Sequence, residues 1–334
     1  MRAGTSRTGT DADLELDSQD VTSTAVLSSA ETLPDIRLEV SLPPIGGYLG
    51  RCRLQAHMAA GSNSAVFLGE LWDLRIPVAV KVLAPRDPSF RASLAVHLRN
   101  EFEVLCKLSH ACIARLWDYR DDHEQPHLAT EYVHSLTLDQ LRIKHGGRVS
   151  VKLALRIALK IVDGLSSAWR LGFAHRDVKP ENILFTPDGN VKIIDWGLAG
   201  EVGRELPSTL IAEPTRFIGT PAYMAPESAR TNRAFDHRTD IYSLGATIYH
   251  LVTGKLAFEH VMATKMILAH LHEPLTPAFD HVQEPGMLRL SEVLSRMMAK
   301  NPNDRYQDPD ELRDDLTRAL SEDSGGNSKF IRIR

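Results

Sequence analysis

The sequence contains few cysteines, no long hydrophobic run and no large excess of one charge. Its three cysteines, Cys52, Cys106 and Cys112, are an odd number without the spacing of a metal site, so we expect reduced thiols. No uninterrupted apolar stretch approaches the roughly 18 residues that a membrane-spanning helix needs. The N-terminal residues include acids and lack the apolar core of a signal peptide. These absences predict a cytoplasmic chain without a membrane segment.

The charge balance excludes one class of partner. The chain has 39 basic and 43 acidic residues, for a formal net charge of −4. This balance gives no electrostatic reason to expect binding to nucleic acid or to an anionic membrane.

The length of 334 residues allows either one two-lobed domain of roughly 270 residues with tails or two small domains.

Both ends of the chain have the composition of tails. Residues 1–44 contain three basic and eight acidic residues and few large apolar side chains, so we expect this segment to be disordered. It is either a solvated spacer or a regulatory tail. The pair Pro43 and Pro44 predicts the entry to the folded domain. Residues 321–334 are polar and then basic, which predicts a second flexible tail.

Residues 175–182, with the sequence His-Arg-Asp-Val-Lys-Pro-Glu-Asn, combine several chemically active groups. Asp177 and Asn182 lie five residues apart, so both can face one substrate from a single loop. A carboxylate can accept a hydroxyl proton, and an amide oxygen suits a hard cation such as Mg²⁺. Thirteen residues after Asn182, another carboxylate, Asp195, follows a short apolar segment. The pattern favours phosphoryl transfer, and its alternative is a charged surface turn.

This octet resembles the catalytic loop of the protein-kinase family, H-R-D-L-x-x-x-N, in the form typical of the serine/threonine branch. The whole chain is similar to bacterial kinases of the eukaryotic-like, or Hanks, type over about residues 48–320. The resemblance implies an α+β, bilobal kinase fold. Residues 45–133 would form a small antiparallel β lobe with one helix, and residues 134–320 a larger, mainly α-helical lobe. The implied cofactors are ATP and Mg²⁺, and the implied acceptors are serine and threonine hydroxyls of proteins.

The resemblance also implies roles for five side chains. Asp177 would orient the attacking hydroxyl and take its proton, and Lys179 would neutralise charge on the transferred phosphate. Asn182 and Asp195 would hold Mg²⁺. Lys81 would hold the nucleotide phosphates.

Two motifs depart from the family pattern. The glycine-rich loop is written G-x-G-x-x-G-x-V in the family, but here Gly61 alone is kept, with Ala59 and Ser64 at the outer positions before Val66. A hairpin of small residues still lets backbone N–H groups approach phosphate oxygens, although a plain β-turn is the alternative. The D-F-G turn keeps its carboxylate and its glycine but has Trp196 in the middle. A buried indole N–H needs a partner.

An ion pair is expected in the first lobe. Lys81 lies in the β-branched run 76–83, and its ammonium needs an anion if that strand has a buried face. The alternative is a lysine that faces the solvent. Residues 89–108 have helical apolar spacing, and Glu101 on this helix matches the glutamate of the family's helix C. Glu103 is the alternative partner.

The adenine site is implied by the resemblance of residues 128–133 to the kinase hinge. We expect strands over 112–117 and 127–133. Thr130 would be the gatekeeper, and backbone groups of Glu131 and Val133 would bind adenine. The complete set expected to contact the nucleotide is Ala59, Gly61, Val66, Ala79, Lys81, Glu101, Thr130, Glu131, Val133, Leu184 and Asp195.

The loop over residues 198–220 resembles the activation segment of the family. It contains Thr209 and Thr215, which we expect to be sites of autophosphorylation, with Arg176 as a candidate partner for the phosphate. A solvated serine- and threonine-rich loop is the alternative.

The second lobe carries further family motifs. By resemblance, Thr220 would contact the catalytic loop and help to select serine and threonine over tyrosine. Glu227 would form a buried pair with Arg305, and Asp240 would brace the catalytic loop. Helices are predicted from Leu138 onward, from the N-cap Ser150 to Leu171, through residues 240–245 as far as Gly254, and over residues 308–320.

Three functions are compatible with these motifs. The first is a protein serine/threonine kinase. The second is a catalytically silent, nucleotide-binding scaffold, favoured by the reduced glycine loop and by Trp196. The third is a small-molecule phosphotransferase, which Lys179 and the region of Thr220 oppose because they are typical of kinases that act on peptides.

Overall fold

The structure is a computed structural model that describes residues 42–61, 63–84, 91–121, 125–203, 220–229 and 235–324. The predicted N-terminal tail as far as residue 41 lies outside these ranges, and so do Ser89, Thr209, Thr215 and residues 325–334. Within the ranges described, no helix combines the length and the apolar character that crossing a membrane requires.

Eleven strands lie within the described ranges. They are β1 (Tyr48–Leu49), β2 (Cys52–Ala60), β3 (Ser64–Leu71), β4 (Ile76–Leu83), β5 (Leu116–Arg120), β6 (His127–Glu131), β7 (Leu136–Thr137), β8 (Phe173–Ala174), β9 (Ile183–Phe185), β10 (Val191–Ile193) and β11 (Gly200–Glu201).

Eight α-helices lie within the same ranges. They are α1 (Arg91–Leu105), α2 (Leu138–Lys144), α3 (Val151–Arg170), α4 (His237–Thr253), α5 (Ala263–His272), α6 (Ala278–His281), α7 (Met287–Met297) and α8 (Pro309–Ser324). The expected α+β architecture is confirmed: an antiparallel sheet with α1 precedes a larger, mainly helical lobe.

The first lobe is a six-stranded antiparallel sheet in the order β1-β2-β3-β4-β6-β5. On β4, Val78, Val80 and Val82 are buried in an apolar cluster with Phe67 of β3. Because successive side chains of a strand point to opposite faces, the residues between these valines occupy the other face.

That other face carries the side chains predicted to meet a nucleotide. Residues directly opposite one another on paired strands share a face. Lys81 is paired with Val66 on β3, and Ala79 is paired with Thr130 on β6. Strand register therefore places these four side chains on one surface of the sheet.

The second lobe is built around α4. Every residue from Thr239 to Thr253 is buried, as expected of a helix at the centre of a large domain. Asp236 caps its first turn by accepting a hydrogen bond of 2.9 Å from the Arg238 amide. Gly254 ends it with φ of +70°, in the left-handed region that favours glycine. The predicted end at Gly254 is confirmed.

Helix α3 packs beside the small sheet β10-β9-β7. The predicted N-cap is confirmed, since the Ser150 hydroxyl accepts from the Leu153 amide at 3.3 Å. Gly172 follows the end of the helix with φ of +81°. This ending directs the chain into β8 and then into the loop of residues 175–182.

The predicted strand over 112–117 is wrong for residues 112–115. Strand β5 starts at Leu116, and the residues before it pair with the second lobe instead. The Ile193 amide donates to the Cys112 carbonyl at 2.7 Å, and the Ala114 amide donates to the Ile193 carbonyl at 3.1 Å. Ile113 is 3% exposed. The short apolar run therefore forms a connection between the lobes, which its hydrophobicity alone does not distinguish from a strand.

Two predicted helix ends are also corrected. The helix predicted over 89–108 ends at Leu105, because the chain tightens into a turn in which the Leu108 amide donates to the Leu105 carbonyl at 3.3 Å. The last helix continues to Ser324 and includes the first residues of the predicted 321–334 tail. Residues 310–324 contain neither glycine nor proline, so nothing in the sequence breaks the helix before Gly325.

Candidate active site

Lys81 lies between two carboxylates contributed by different elements. Its ammonium is 2.8 Å from Glu101 Oε2 on α1 and 2.7 Å from Asp195 Oδ1, which follows β10. The side chain of Glu101 is 4% exposed, so the ion pair satisfies a charge that would otherwise be buried alone. Glu103 instead lies on the exposed side of α1, 3.4 Å from Arg99. The structure thus brings together Lys81, Glu101 and Asp195, and not Glu103.

Burial and the neighbouring charges shift the pKa of each group in this cluster. Burial alone would lower the pKa of the Lys81 ammonium, but the two carboxylates outweigh burial and raise that pKa above its usual range. Burial would raise the pKa of Asp195, but the charge and hydrogen bond of Lys81 lower it to about 2. Burial dominates at Glu101, where it raises the carboxyl pKa in spite of Lys81. Lys81 is therefore cationic and Asp195 anionic at neutral pH.

The loop of residues 175–182 is braced from α4. Asp240 is fully buried and accepts from the backbone amides of His175, at 2.8 Å, and Arg176, at 2.7 Å. The indole of Trp169 on α3 donates to the same carboxylate at 2.8 Å. Arg176 has φ of +68°, a strained conformation for a residue with a side chain, and these bonds hold it there. Asp240 therefore braces the loop of residues 175–182, as the resemblance implies.

Asp177 is oriented by three neighbours. Lys179 Nζ donates to its Oδ2 at 2.7 Å, and Asn182 Nδ2 donates to the same oxygen at 3.0 Å. The Thr220 amide donates to Oδ1 at 3.3 Å. Lys179 also donates to the Thr220 hydroxyl at 2.9 Å, so the carboxylate, the ammonium and the start of the next segment form one network.

Asn182 and Asp195 present oxygen atoms of the kind that Mg²⁺ prefers. Both hydrogens of the Asn182 amide face the backbone or side chain of Asp177, which leaves the amide oxygen for another ligand. The Ile194 amide donates to the Asn182 carbonyl at 3.0 Å and so ties the two segments together. Asp195 uses one oxygen for Lys81, while its side chain remains 42% exposed. The donor set fits a divalent cation.

The ring of His175 has a structural role. Its Nε2 donates to the Ile194 carbonyl, at 3.1 Å, and its Nδ1 accepts from the Asp177 amide at 3.2 Å. Both ring nitrogens are therefore occupied. The indole of Trp196 packs edge-on against this ring, with 4.6 Å between the centroids, and is 1% exposed. Among the described residues, the Trp196 Nε1 has no hydrogen-bond partner.

The region that replaces the glycine-rich loop is a hairpin between β2 and β3. The Gly61 amide donates to the Ser64 carbonyl at 2.8 Å, and Ala59 is paired with Val66. Ala59 and Gly61 are exposed and Val66 is half-buried. Leu184 is also half-buried, on β9, next to the loop that carries Asn182.

The predicted hinge is fixed by the side chain of Glu131. Its carboxylate accepts from Lys192 Nζ on β10 at 2.8 Å and from the Arg115 amide at 3.3 Å. The Val133 carbonyl accepts from the Ser135 hydroxyl at 3.0 Å. The contacts of Glu131 join this segment to β10 and to the chain before β5.

A buried ion pair secures the segment that follows Thr220. Arg305 donates to both oxygens of Glu227, at 2.7 and 2.8 Å, and its side chain is fully buried. The Thr239 hydroxyl donates to Glu227 at 2.9 Å. The predicted pairing of Glu227 with Arg305 is present.

Sequence reasoning missed two histidines that hold the same segment. His270 of α5 donates from Nε2 to the Ala222 carbonyl at 3.1 Å and accepts at Nδ1 from the Tyr242 hydroxyl at 2.9 Å. Tyr223 is bonded through its hydroxyl to His250 Nδ1 at 2.8 Å. Burial lowers the pKa of both histidines to about 4. Their sequence neighbourhoods are apolar helices and contain no motif that would have identified them.

The side chain of Arg176 packs against Gly200 and Glu201. Its guanidinium donates to the Glu201 carbonyl at 3.0 Å and occupies the space beside Gly200, where a Cβ would lie 2.2 Å from Nη1. The predicted phosphorylation sites Thr209 and Thr215 lie outside the described residues, so a pairing with Arg176 stays a prediction.

The comparisons with known proteins indicate one family. The family model described as protein kinase domain matches residues 53–315. The chain is 33% identical to the probable serine/threonine-protein kinase PknB of Corynebacterium glutamicum, over 80% of this chain and 42% of that protein. It is 32% identical to the serine/threonine-protein kinase PknL of Mycobacterium tuberculosis, over 80% of this chain and 65% of that protein.

A probable serine/threonine-protein kinase of Clostridium perfringens is 30% identical, over 81% of this chain and 39% of that protein. The chain thus spans less than two thirds of the length of each of these relatives. The family match covers most of the chain and contains both halves of the site described above. The chain belongs to the protein kinase domain family.

Proposed function

We propose that this chain is an ATP- and Mg²⁺-dependent protein serine/threonine kinase. The observation that carries the proposal is the convergence of Lys81, from the sheet, with Asp195, from the second lobe, at 2.7 Å. This contact joins the two lobes next to the segment that carries Asp177 and Asn182. The bacterial relatives named as serine/threonine-protein kinases support the same activity.

The residues of the chain would share the chemistry as follows. Asp177 would accept the proton of the attacking hydroxyl, because its carboxylate is already oriented by Lys179, Asn182 and the Thr220 amide. Lys179 would then face the negative charge that develops on the transferred phosphoryl group. Lys81 would hold the phosphates of the nucleotide.

The residues that would hold Mg²⁺ are Asn182 and Asp195. A divalent cation at this place would neutralise phosphate charge and orient the phosphates for in-line transfer. The contribution of the chain is to keep both oxygens in place, through the Ile194 amide on one side and Lys81 on the other.

The acceptors that we propose are serine and threonine residues of proteins, including those in the loop 198–220 of this chain. The buried anchors at Ala222 and Glu227 support a peptide acceptor, because they give the segment after Thr220 a fixed shape. Nucleic acid is not an expected partner at a formal net charge of −4. The three free cysteines support the proposed cytoplasmic location.

The test is the transfer of label from γ-labelled ATP to the chain itself or to a generic basic protein, with acid hydrolysis to identify the phosphoamino acids. We expect phosphoserine or phosphothreonine from the wild type and a large loss of signal from Asp177→Asn. Equal signals from the two proteins would refute the assignment of Asp177. Binding of ADP without any transfer would favour the scaffold function.

A further inference from the structure

Two side chains of helix α1, Glu101 and Asn100, hold the turn that follows Asp195. Of these, Glu101 matches the helix C glutamate of the family. Residues Trp196–Leu198 form a 3-10 turn directly after Asp195. Glu101 Oε1 accepts from the Trp196 amide at 3.3 Å. One residue earlier on the helix, Asn100 contacts the same turn from its side chain.

Asn100 bonds to two carbonyls of this turn. Its Nδ2 donates to the Gly197 carbonyl at 3.1 Å and to the Ala199 carbonyl at 2.7 Å. An amide nitrogen has two hydrogens, so both are used. An alanine at this position can donate to neither carbonyl, and an aspartate would bring a negative charge towards both.

The conformation of Asp195 needs such support. Asp195 has φ of +62°, in the left-handed region that a residue with a side chain rarely adopts. Strained conformations persist where the surrounding structure holds the chain on both sides. The Asn182 carbonyl holds the residue before Asp195, and Glu101 and Asn100 hold the turn after it.

We propose that Asn100 is a positioning residue for the Asp195 carboxylate in the Mg²⁺–nucleotide site. It acts through the backbone of the turn and touches neither cation nor nucleotide. This inference rests on the proposed function and adds a residue to it. Without the two hydrogen bonds, the turn would keep its contacts with Glu101 and with His97, whose Nδ1 lies 3.4 Å from the Gly197 carbonyl oxygen. The Ala199 end of the turn would be released, and the Asp195 carboxylate would spread over several positions, which weakens the metal site specifically.

The experiment measures ADP binding by isothermal titration calorimetry to the full chain, with saturating MgCl₂ and with EDTA. The ratio of the two dissociation constants gives the tightening that Mg²⁺ causes. Supporting groups around metal ligands typically change metal affinity by 10–100-fold, so we expect this ratio to fall by about tenfold in Asn100→Ala and further in Asn100→Asp. We expect ADP affinity in EDTA to be unchanged.

Arg99→Ala is the matched control. Arg99 neighbours Asn100 on α1, but its side chain is 64% exposed and contacts Glu103. We expect its Mg²⁺-dependent tightening to equal that of the wild type. Asn100→Ser, which keeps one donor, should give an intermediate ratio and also provides a milder variant if Asn100→Ala does not fold.

The outcomes separate the two proposals. Asn100 variants that are less stable in urea but show the wild-type ratio would overturn the positioning role, because Asn100 would then support the fold alone. A wild type whose ADP binding is not tightened by Mg²⁺ would overturn the proposed Mg²⁺–nucleotide site itself, and the role of Asn100 with it.

Discussion

At the scale of single residues, the candidate site is organised around the ion pairs of Lys81. Lys81 contacts the carboxyl groups of both Glu101 and Asp195, so its positive charge is already paired before any phosphate arrives. We therefore expect a triphosphate to bind here together with cations that neutralise its charge. The exposed part of Asp195 is the place where the structure offers an oxygen for that purpose.

The first prediction concerns the pH dependence of this cluster. The pKa of Asp195 is lowered to about 2 in the folded chain, whereas an unfolded aspartate has a pKa of about 3.9. A lowered pKa contributes stability that is present above the unfolded value and is lost as the pH falls through the folded value. We therefore expect wild type to exceed Asp195→Asn in free energy of unfolding at neutral pH.

That excess should shrink as the pH falls from about 4 towards 2, because the wild-type carboxylate is then progressively protonated. Urea denaturation of both proteins across this range measures it. A difference between the two proteins that stays constant with pH would contradict the assigned charge state of Asp195.

The second prediction compares two glutamates on one helix. Glu101 holds Lys81, and Glu103 lies on the exposed side of α1. Displacement of a reacting group by about 1 Å can cost about a hundredfold in rate, so we expect a loss of that order in Glu101→Gln. Glu103→Gln should retain the wild-type rate of label transfer from ATP. Similar losses in both variants would argue against the specific role of Glu101.

Lys81, Asp177, Asn182 and Asp195 could be proposed from the sequence because each belongs to a motif typical of phosphoryl transfer, and their roles stay predictions. Asn100 was not predictable in the same way. Its partners are two backbone carbonyls nearly a hundred residues away, and backbone carbonyls carry no sequence signal. The sequence shows only that an asparagine precedes Glu101, the expected glutamate.

At the scale of elements, helix ends were predicted well where a capping residue marks them. Ser150 begins helix α3 and Gly254 ends helix α4 as expected. The Ser150 hydroxyl accepts a hydrogen bond from the first turn, and a glycine adopts the left-handed conformation easily. Residues 112–114 were assigned wrongly because an apolar run does not identify its partner. Their hydrogen bonds go to β10 in the other lobe.

The third prediction uses two glycines with similar backbone conformations. Gly254 has φ of +70°, and a Cβ there would lie 2.8 Å from the Gly147 carbonyl oxygen. Gly146 has φ of +77° and open space around it. Gly146→Ala should cost about 1–2 kcal/mol in free energy of unfolding, the strain of the left-handed conformation alone. Gly254→Ala should cost more because of the added clash.

Chemical denaturation of the two glycine variants checks this order. Equal losses of stability would show that the loop containing Gly147 moves aside at no cost, which would contradict the close packing of α4 against it.

The fourth prediction concerns the buried pair between Glu227 and Arg305. Removal of one partner leaves the other buried without a counter-charge, and such changes cost about 3–5 kcal/mol. We expect a loss of this size in Arg305→Met, measured by urea denaturation. The double variant Glu227→Gln with Arg305→Met should recover part of it. A single variant with wild-type stability would contradict the burial of the pair.

At the scale of the whole molecule, the site exists only where two lobes meet. Lys81 and Asp195 are 114 residues apart in the chain, and their contact depends on the sheet, on α1 and on the pairing of residues 112–114 with β10. Residue periodicity predicts elements but not how they are arranged. The resemblance to a family supplied the arrangement, and the family match and the structure confirm the two-lobed fold.

The most direct measurement is a crystal structure of the chain with a non-hydrolysable ATP analogue and Mg²⁺. We expect a metal ion within about 2.1 Å of the Asn182 amide oxygen and of an Asp195 carboxylate oxygen. We also expect Lys81 to contact the nucleotide phosphates and Asp177 to face the terminal phosphate. A nucleotide bound away from Lys81, or a metal ion that touches neither Asn182 nor Asp195, would contradict the proposed kinase site.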